Sequence, residues 1–417
     1  MPNPLLEQEH LFTIIHLVNK MKERIASFVR TYLFPSETFI YEEIKNIRRF
    51  EVLVLTLNII NNHLFPYADI IAPDKKESHF SFLKAKKRED FFCKILRQQN
   101  IRLVHAWYGW SGIEILPACK RAGVPLITSL HGQDVSKLPH NFSYRRKLRR
   151  LFQQGDLFLV RSNAMKEDVI KLGCSSKKIV VHYGGVDISK FKPGNRKNKK
   201  SARILMCGRM VEKKGFQYGI LAFSIVLKKH PNTSLSIIGE GRLKKKLEKL
   251  VKSLKIEDKV KFLGAVPHSQ VQKEMEEADI FLSPNVTSRD KDKEGVPNVI
   301  KEAMAAALPV VSTYHAGIPE LVVNRETGFL TRERDVESLA EKLDYLLSYP
   351  ELREIMGKKG RKRIEEKFNL SSQVKELEDV YSQLLKKKFC VLKMFDNLPF
   401  DQCSRKISKN NVSAVLP

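Results

Sequence analysis

Glu294 and Glu302 bracket the segment EGVPNVIKE, in which Pro297 stands where a helix would begin. Proline suits the first position of a helix, because its missing N–H would be unpaired there anyway. The pattern continues through Lys301, Glu302, Ala303 and Met304 and stops before Pro309, and the small run Ala305-Ala306-Ala307 allows close approach to other backbone. The loop before such a helix aims free N–H groups outward, which makes an anion site. Carboxylates accept hydrogen bonds from vicinal hydroxyls, the groups that ribose and hexose present. The segment alone leaves two readings open: that chemistry, or one loop charge and one solvated helix charge.

Three further clusters follow apolar, strand-like runs. Gly208-Arg209 and Lys213-Lys214-Gly215 come directly after Ile204–Cys207. Two cations flanked by glycines at the carboxyl end of a strand can clamp a diphosphate, or form an ordinary basic turn. Gly239-Glu240-Gly241 follows Leu235–Ile238 and precedes a helical pattern, but it is not a GxGxxG run and is weak evidence by itself. His131-Gly132-Gln133-Asp134 follows Pro125–Leu130; the His and the Asp either face a sugar or serve the fold. Asp290-Lys291-Asp292 has the form of an Asp-x-Asp metal site, yet it lies in SRDKDKE. Hard divalent cations want converging oxygens and not interleaved lysines, so no metal and no other cofactor is expected.

The elements that must position these residues alternate. Strands are expected at Ile25–Val29, Val52–Leu57, Leu103–Ala106, Pro125–Leu130, Leu157–Val160 and Ile179–Val181, with helices such as Ser36–Arg48 and Met165–Leu172 between them. The alternation restarts with strands at Ile204–Cys207, Leu235–Ile238, Val260–Leu263, Ile280–Ser283 and Val310–Thr313. Helices are expected at Gln217–Lys229, Leu243–Leu254, Val271–Ala278, Pro297–Ala307 and Val336–Leu347. Continuous apolar strands between amphipathic helices predict parallel sheets covered on both faces, an α/β fold. FKPGNRKNKK separates the halves and reads as a linker. The expected organisation is a helical extension at 1–22, a Rossmann-like domain at 23–190, a linker at 191–201 and a second Rossmann-like domain at 202–364. A helix at 365–388 returns to the first domain, and a loosely ordered tail fills 389–417. The natural active site is the cleft between two such sheets, at the carboxyl ends of their strands.

Composition bounds the function class. The 417 residues carry 74 Lys+Arg and 47 Asp+Glu, a net charge of +27, which favours an anionic partner. Hydrophobic residues make up 42%, which argues against a mainly disordered chain. The six cysteines, at 93, 119, 174, 207, 390 and 403, include no CxxC pair and read as reduced thiols of a cytosolic protein. No stretch approaches the roughly 18 apolar residues of a spanning helix. The apolar run Leu11–Val18 is preceded by Glu7 and Glu9, unlike a secretory signal, so the Asn-x-Ser/Thr triplets at Asn141 and Asn285 carry no glycosylation meaning.

In order, the motifs resemble a known family. EGVPNVIKEAMAAALPVVSTYHAGIPELV is similar to the E-x7-E region of retaining glycosyltransferases of the GT-B fold, family 4 (the group 1 glycosyltransferases). GRMVEKKGF, IIGEGRLKKKLE, FLGAVPHSQV, LHGQDVS and the run from RSNAMKEDVIKLG to GGVD continue the likeness over residues 24 to 385. SETFIYEE resembles the branch that builds exopolysaccharides of the colanic-acid type. The resemblance implies two Rossmann-like domains facing across a cleft. It implies hexosyl transfer from a nucleotide diphosphate sugar to a glycan or lipid-linked saccharide hydroxyl, with retention through front-face attack and without a metal.

By the same resemblance Arg209 and Lys214, with Gly208 beside them, would neutralise the donor's diphosphate, and Glu302 would hold the ribose. Glu294 would hold the donor sugar, and Gly295, Val296, Pro297 and Asn298 would offer backbone N–H groups to phosphate and sugar. His131 and Asp134 would face the sugar from the other domain and help to position the acceptor. The chain departs from the family at His105-Ala106-Trp107, where His-x-His is usual, at Leu33–Thr38, which replaces a glycine-rich loop, and at His315-Ala316 before Gly317.

A lipid-linked acceptor would bring the protein to the inner face of the membrane as a cytoplasmic, peripheral protein. The segment Arg145, Arg146, Lys147, Arg149 and Arg150, beside Leu148 and Leu151, offers a basic amphipathic means. The alternatives are an epimerase or phosphorylase on the same fold, and a basic nucleic-acid-binding protein. The lysines at 196–200, 244–252 and 358–363 lack the interleaved aromatics of a stacking groove, so nucleic acid is not an expected partner.

Overall fold

The computed structural model describes residues 22–73, 83–195 and 201–396. The expected extension at 1–22 and the tail at 389–417 lie outside them, apart from Lys22 and residues 389–396.

The first sheet contains β1 (Arg24–Tyr32), β2 (Glu51–Ile59), β3 (Ile70–Ile71), β4 (Val104–Trp107), β5 (Leu126–Ser129), β6 (Leu157–Val160) and β7 (Ile179–Val181). Its helices are α1 (Thr38–Asn46), α2 (Leu83–Gln98), α3 (Gly109–Ala122), α4 (Phe142–Gln154) and α5 (Asn163–Lys171). The second sheet contains β8 (Arg203–Cys207), β9 (Ser234–Ile238), β10 (Val260–Gly264), β11 (Ile280–Ser283), β12 (Val310–Thr313) and β13 (Gly328–Thr331). Its helices are α6 (Phe216–Leu227), α7 (Lys244–Ser253), α8 (His268–Glu277), α9 (Asn298–Ala305), α10 (Ile318–Leu321) and α11 (Val336–Ser348). The chain then forms α12 (Pro350–Lys367) and α13 (Leu370–Asp396).

Both sheets are wholly parallel, with orders β3-β2-β1-β4-β5-β6-β7 and β10-β9-β8-β11-β12-β13. Strand order reverses between β1 and β4 in one and between β8 and β11 in the other. A crevice opens at such a switch point, beyond the carboxyl ends of the strands. The short strands β3 and β13 have no signal in the sequence reading: one is two residues long, and the other begins with Gly328.

The apolar runs are continuous because each strand feeds two layers. In β1, Ala26 and Phe28 join Leu53, Val104 and Ala106 under α2 to α5, whereas Ile25 and Val29 join Val52 and Leu103 on the opposite face. Period-two alternation therefore sorts buried residues between layers instead of between core and water. In the second domain Ile204, Met206 and Leu282 pack against α6, α7 and α11, and Leu205 and Phe281 pack against α9 and α12.

The helix expected at 365–388 is interrupted near its start, at Phe368-Asn369, where one helix has ended at Lys367 and the next begins at Leu370. There the chain crosses back to the first domain: Val186 N–H donates to the Phe368 carbonyl (2.9 Å), and Leu370 N–H donates to that of Val186 (3.0 Å). Gly185 is needed at this crossing, since a Cβ would collide with Leu370 backbone. Helix α13 then completes the apolar layer over β1 with Leu370, Val374, Leu377 and Tyr381. Its buried Glu378 accepts from the backbone N–H groups of Arg48 (2.6 Å) and Arg49 (2.7 Å), just past the end of α1, and from Arg49 Nε (3.0 Å).

Charged hydrogen bonds of this kind are worth about 1.5–3 kcal/mol, and exposed ion pairs about 0–1 kcal/mol. Glu378→Ala should therefore destabilise the first domain by about 2–3 kcal/mol, and Arg49→Ala by less than about 1 kcal/mol. Both tryptophans, Trp107 and Trp110, lie in that domain, so their fluorescence in urea reads the difference.

Candidate functional site

The clusters read from the sequence converge at the two switch points. After β8, Gly208 (φ 147°) donates its N–H to the Ile238 carbonyl, and Met210 N–H donates to that of Glu240. Gly239 (φ 130°) touches the Gly208 carbonyl where a Cβ would collide with it. Gly208-Arg209 and Gly239-Glu240-Gly241 thus form one interlocked shelf, and each glycine is required by φ or by contact.

Lys213 and Lys214 lie on the next turn, closed by Gly215 (φ 65°). Lys213 is 7% exposed and pairs with Asp292 (3.1 Å) and Glu294 (3.4 Å); Lys214 pairs with Glu294 (3.3 Å). Burial raises the Glu294 carboxyl, but the two ammonium groups outweigh it and hold it well below the carboxylate range. Burial lowers the Lys213 ammonium, and Glu294 and Asp292 more than restore it. The basic turn is therefore part of a charge-matched, largely buried quartet: Lys213 and Lys214 against Asp292 and Glu294. Arg209 is exposed and forms no ion pair among the described residues, and the carboxyl of Glu37 from the first domain lies near enough to feel its charge.

Asp290 and Asp292, the two carboxylates of the Asp-x-Asp motif, are engaged separately. Asp290 pairs across the cleft with Lys137 (2.7 Å) and accepts from Ser288, and Asp292 holds Lys213. Asp292 is thus part of the site's charge balance and not a bystander in a solvated loop.

His315, which the sequence reading noted only as a departure, fixes the loop that carries Glu294. Its Nε2 accepts the Glu294 backbone N–H (3.1 Å), so the proton must be on Nδ1, which donates to Glu333 Oε1 (2.6 Å). Burial raises the Glu333 carboxyl, but the bonds from His315 and Thr287 bring it down to about 2. Pro297 caps α9 from outside, at φ −65° and ψ 119°, one position earlier than expected. The helix ends at Ala305. Val296 is buried, and Gly295 lies where a Cβ would be 3.1 Å from the His131 carbonyl of the other domain.

Glu302, on the second turn of α9, meets His268 Nε2 (3.3 Å). Its hydrogen bond raises the His268 imidazole against the opposing effect of burial. Glu302, Asn298 and His268 line a cavity of about 330 Å³ whose other wall comes from Thr38, Phe39 and Glu42 of the first domain.

His131 stands opposite the Glu294 loop, and a Cβ at Gly132 would lie 2.9 Å from the Lys293 carbonyl. Its Nδ1 accepts from Arg161 Nε (3.3 Å), and its buried Nε2 has no partner among the described residues. Asp134 does not face the cleft as expected. It is fully buried, and its carboxylate accepts the N–H groups of Gly109 (2.9 Å), His131 (3.0 Å) and Gly132 (2.9 Å). A carboxylate two or three residues after a tight turn is well placed to satisfy that turn's amides. Asp134 positions His131.

Sequence reasoning also passed over Glu37, Glu43, Arg161, Lys301 and Glu320. Glu320 accepts from Asn163 N–H (2.9 Å), Ala164 N–H (3.1 Å) and Tyr183 Oη (3.0 Å), so it caps a helix of the opposite domain. Lys301, 1% exposed, donates to the carbonyls of Tyr183 (2.6 Å) and Gly184 (2.9 Å), and burial and Arg161 bring its ammonium down to about 7. Arg161 and His315 each lie just beyond the carboxyl end of a strand, a position at which the switch-point rule could have singled them out.

The depressed Glu294 carboxyl sets a pH dependence. Its folded value is below the unfolded 4.5, so the stabilisation is complete above pH 4.5 and is lost as pH falls below it toward the folded value. The stability difference between the wild type and Glu294→Gln should be constant from pH 7 to 5 and shrink below about pH 4.5, read by urea titrations. Lys213→Met leaves a buried carboxylate short of a partner and should destabilise by about 3–5 kcal/mol, with much of this recovered in Lys213→Met/Glu294→Gln.

Comparison with known proteins accounts for this geometry. A model of the Glycosyltransferase Family 4 domain matches residues 37–190, and one of Glycosyl transferases group 1 matches residues 187–363. An Escherichia coli protein ascribed to colanic acid biosynthesis as a glycosyltransferase is 34% identical over 62% of this chain and 64% of its own, less than two thirds of its length. The amylovoran biosynthesis glycosyltransferase of Erwinia amylovora is 33% identical over 68% of this chain and 70% of its own. Among solved structures, a glycosyltransferase from Rickettsia africae superposes with a TM-score of 0.73 at 20% identity, covering 88% of this chain and 99% of that one. The Anabaena protein HepE, in complex with UDP and glucose, superposes with a TM-score of 0.72 at 19% identity over 87% and 100%. The two parallel sheets facing across a cleft are the GT-B fold, and the chain belongs to glycosyltransferase family 4, with a group 1 glycosyl transferase domain as its second half.

Proposed function

We propose that the chain transfers a hexosyl group from a nucleotide diphosphate sugar to a saccharide hydroxyl, with retention and without a metal. It would act in cell-surface polysaccharide biosynthesis. The relatives' names, colanic acid and amylovoran, support the setting, and the UDP and glucose in the Anabaena structure support the donor class. The observation that carries the reading is the convergence of Arg209, Lys214, Glu294 and the start of α9 opposite His131.

Cleavage of the donor would build negative charge on its diphosphate. Groups held ready at that charge lower the barrier most. Arg209 is an exposed cation there without an ion pair among the described residues, Lys214 is held beside Gly208 by Glu294, and the α9 amides add their dipole. Glu294, held ionised and mostly shielded from water, would accept hydroxyls of the sugar, and Glu302 would exchange His268 for ribose hydroxyls in the cavity between the domains. The incoming hydroxyl would attack on the face from which the diphosphate leaves, its proton passing to a departing phosphate oxygen.

The acceptor is proposed to be lipid-linked, and the protein peripheral at the inner face of the membrane. No helix of the described residues is long and apolar enough to cross a membrane. The structure corrects the expected means of attachment. Leu148 (1% exposed) and Leu151 (0%) belong to the domain core, so α4 has no apolar face to lay into lipid. Its outer face instead presents Arg145, Arg146, Arg149 and Arg150 with Phe142, which is 81% exposed. Tyr144 ties this helix to the His131 loop by donating to the Asp134 carbonyl (3.1 Å).

Purified protein should be stabilised thermally by one of a panel of UDP-, GDP- and ADP-sugars, and no shift with any of them would overturn the donor class. With that donor, Glu302→Ala and Lys214→Ala should each reduce transfer at least tenfold while folded, since a charged hydrogen bond is worth about 1.5–3 kcal/mol and tenfold is about 1.4. Transfer should persist in EDTA.

Vesicles with anionic lipid should sediment the protein at low salt, and neutral vesicles should not. Each basic side chain near the surface contributes about 1 kcal/mol, and the attraction is screened within about 8 Å at physiological salt. Serine at positions 145, 146, 149 and 150 should release the protein; retention in the supernatant with anionic vesicles would sink the membrane claim.

A further inference from the structure

We propose that Arg161 is a positioning residue that fixes His131 as the neutral Nε2–H tautomer, so that His131 offers a hydrogen-bond donor to the substrate in the cleft. The role in turnover rests on the transfer reading above, and the tautomer does not.

Arg161 is almost fully buried just beyond β6. Its Nε meets His131 Nδ1 (3.3 Å), and its Nη1 meets Glu43 Oε1 (3.1 Å), His182 Nδ1 (3.3 Å) and the His182 carbonyl (3.4 Å). A guanidinium has donors only and stays charged in a protein. Both Nδ1 atoms must therefore be lone-pair acceptors, which places the ring proton on Nε2 in each histidine. His182 supplies an internal check. Its Nε2 lies 2.9 Å from the Gln373 carbonyl, which can only accept, so the same tautomer is demanded from the other side of the ring. His131 lacks that second partner: its Nε2 is buried and meets no acceptor among the described residues. A buried N–H without a partner is unfavourable, and a ligand oxygen would relieve it.

Charge and packing keep the arrangement in place. The Glu43 carboxylate, on α1, balances Arg161, and Lys301 on α9, His105 on β4 and His182 add no further negative charge. Burial, then the Arg161 charge, pushes the His131 imidazole well below its ordinary value, so it does not take a second proton. Its plane is fixed by Trp107, stacked at 24°, and by Tyr108 and Phe39. The guanidinium lies over the faces of Trp107 and Phe39.

The test is a long-range proton–nitrogen correlation spectrum of protein labelled with 15N-histidine, with His131 assigned from its absence in His131→Asn. The expected signature is an unprotonated Nδ1 and a protonated Nε2. A protonated Nδ1 on His131 in the wild type overturns the proposal. In Arg161→Met/Glu43→Gln, which keeps the buried charge balanced, protonated Nδ1 should appear; an unchanged tautomer in this folded variant also overturns it. With a donor that the wild type transfers, the double variant should lose at least tenfold in kcat with KM for the donor within twofold. Equal loss in both would make Arg161 merely structural. If the wild type transfers from no donor, the functional reading fails, and the spectrum still decides the tautomer.

Discussion

A carboxylate withdrawn from water gives up its charge unless cations are built around it. Glu294 is such a carboxylate, and much of the second domain follows from keeping it ionised. Two lysines must reach it from the turn after β8, so that turn is closed tightly by Gly215 in the left-handed region. Lys213 is itself buried and needs a second anion, which Asp292 supplies. The loop between them must not rotate, and His315 anchors its backbone with Glu333 holding the imidazole from behind. A buried ion pair is weak evidence for stability, because desolvation offsets much of the attraction. Its value here is geometric: it holds a charged acceptor and a lysine side by side at the mouth of a helix.

The loop that carries Glu294 belongs to one domain and is bonded to the other. Asp290 meets Lys137, Lys293 meets Asp168 (3.0 Å), and the Lys293 N–H donates to Ser136 (3.1 Å). These contacts are partly exposed, and exposed pairs contribute about 0–1 kcal/mol each. They register the two lips of the cleft without locking them. A buried charged contact across the domains lies at the chain crossing, where Lys301 meets the Tyr183 and Gly184 carbonyls. A buried charged hydrogen bond at the chain crossing, with exposed ion pairs and close glycine contacts at the lips, is a distribution that favours opening about the crossing.

The sequence made most of this legible, and its failures have physical causes. Parallel strands buried on both faces leave continuous apolar runs, so the two sheets could be read directly, whereas Ile70–Ile71 is too short to leave one. The break at Phe368-Asn369 was missed although it has a local mark: the uncharged run Phe368–Val374 contains Asn369, whose Oδ1 accepts from Ser371 N–H (3.2 Å), and the distant Val186 pairs with the chain on either side of it. Glu294, Glu302, Arg209 and Lys214 stood out because glycine, proline and charge coincided. Arg161, Glu43 and Lys301 did not, because a buried charge looks in sequence like any surface charge, and only its surroundings show the difference. Asp134 misled for the converse reason: an acid two residues beyond a glycine serves the turn as readily as the cleft.

The departure at His105-Ala106-Trp107 takes its meaning from the same surroundings. His105 is buried, with Nε2 near Ser129 Oγ (2.7 Å) and Nδ1 near Tyr381 Oη (2.6 Å) of α13. It joins the returning helix to the sheet and presents nothing to the cleft. Trp107, where a second imidazole is usual, donates Nε1–H to Ser27 (2.8 Å) and stacks on His131 and His105. An imidazole at 107 would add a titratable group beside Arg161. The indole instead offers a π face to the guanidinium, an attraction of about 0.5–2 kcal/mol. The replacement therefore exchanges a polar group for an apolar wall, and it concentrates the polar chemistry of this lip in His131.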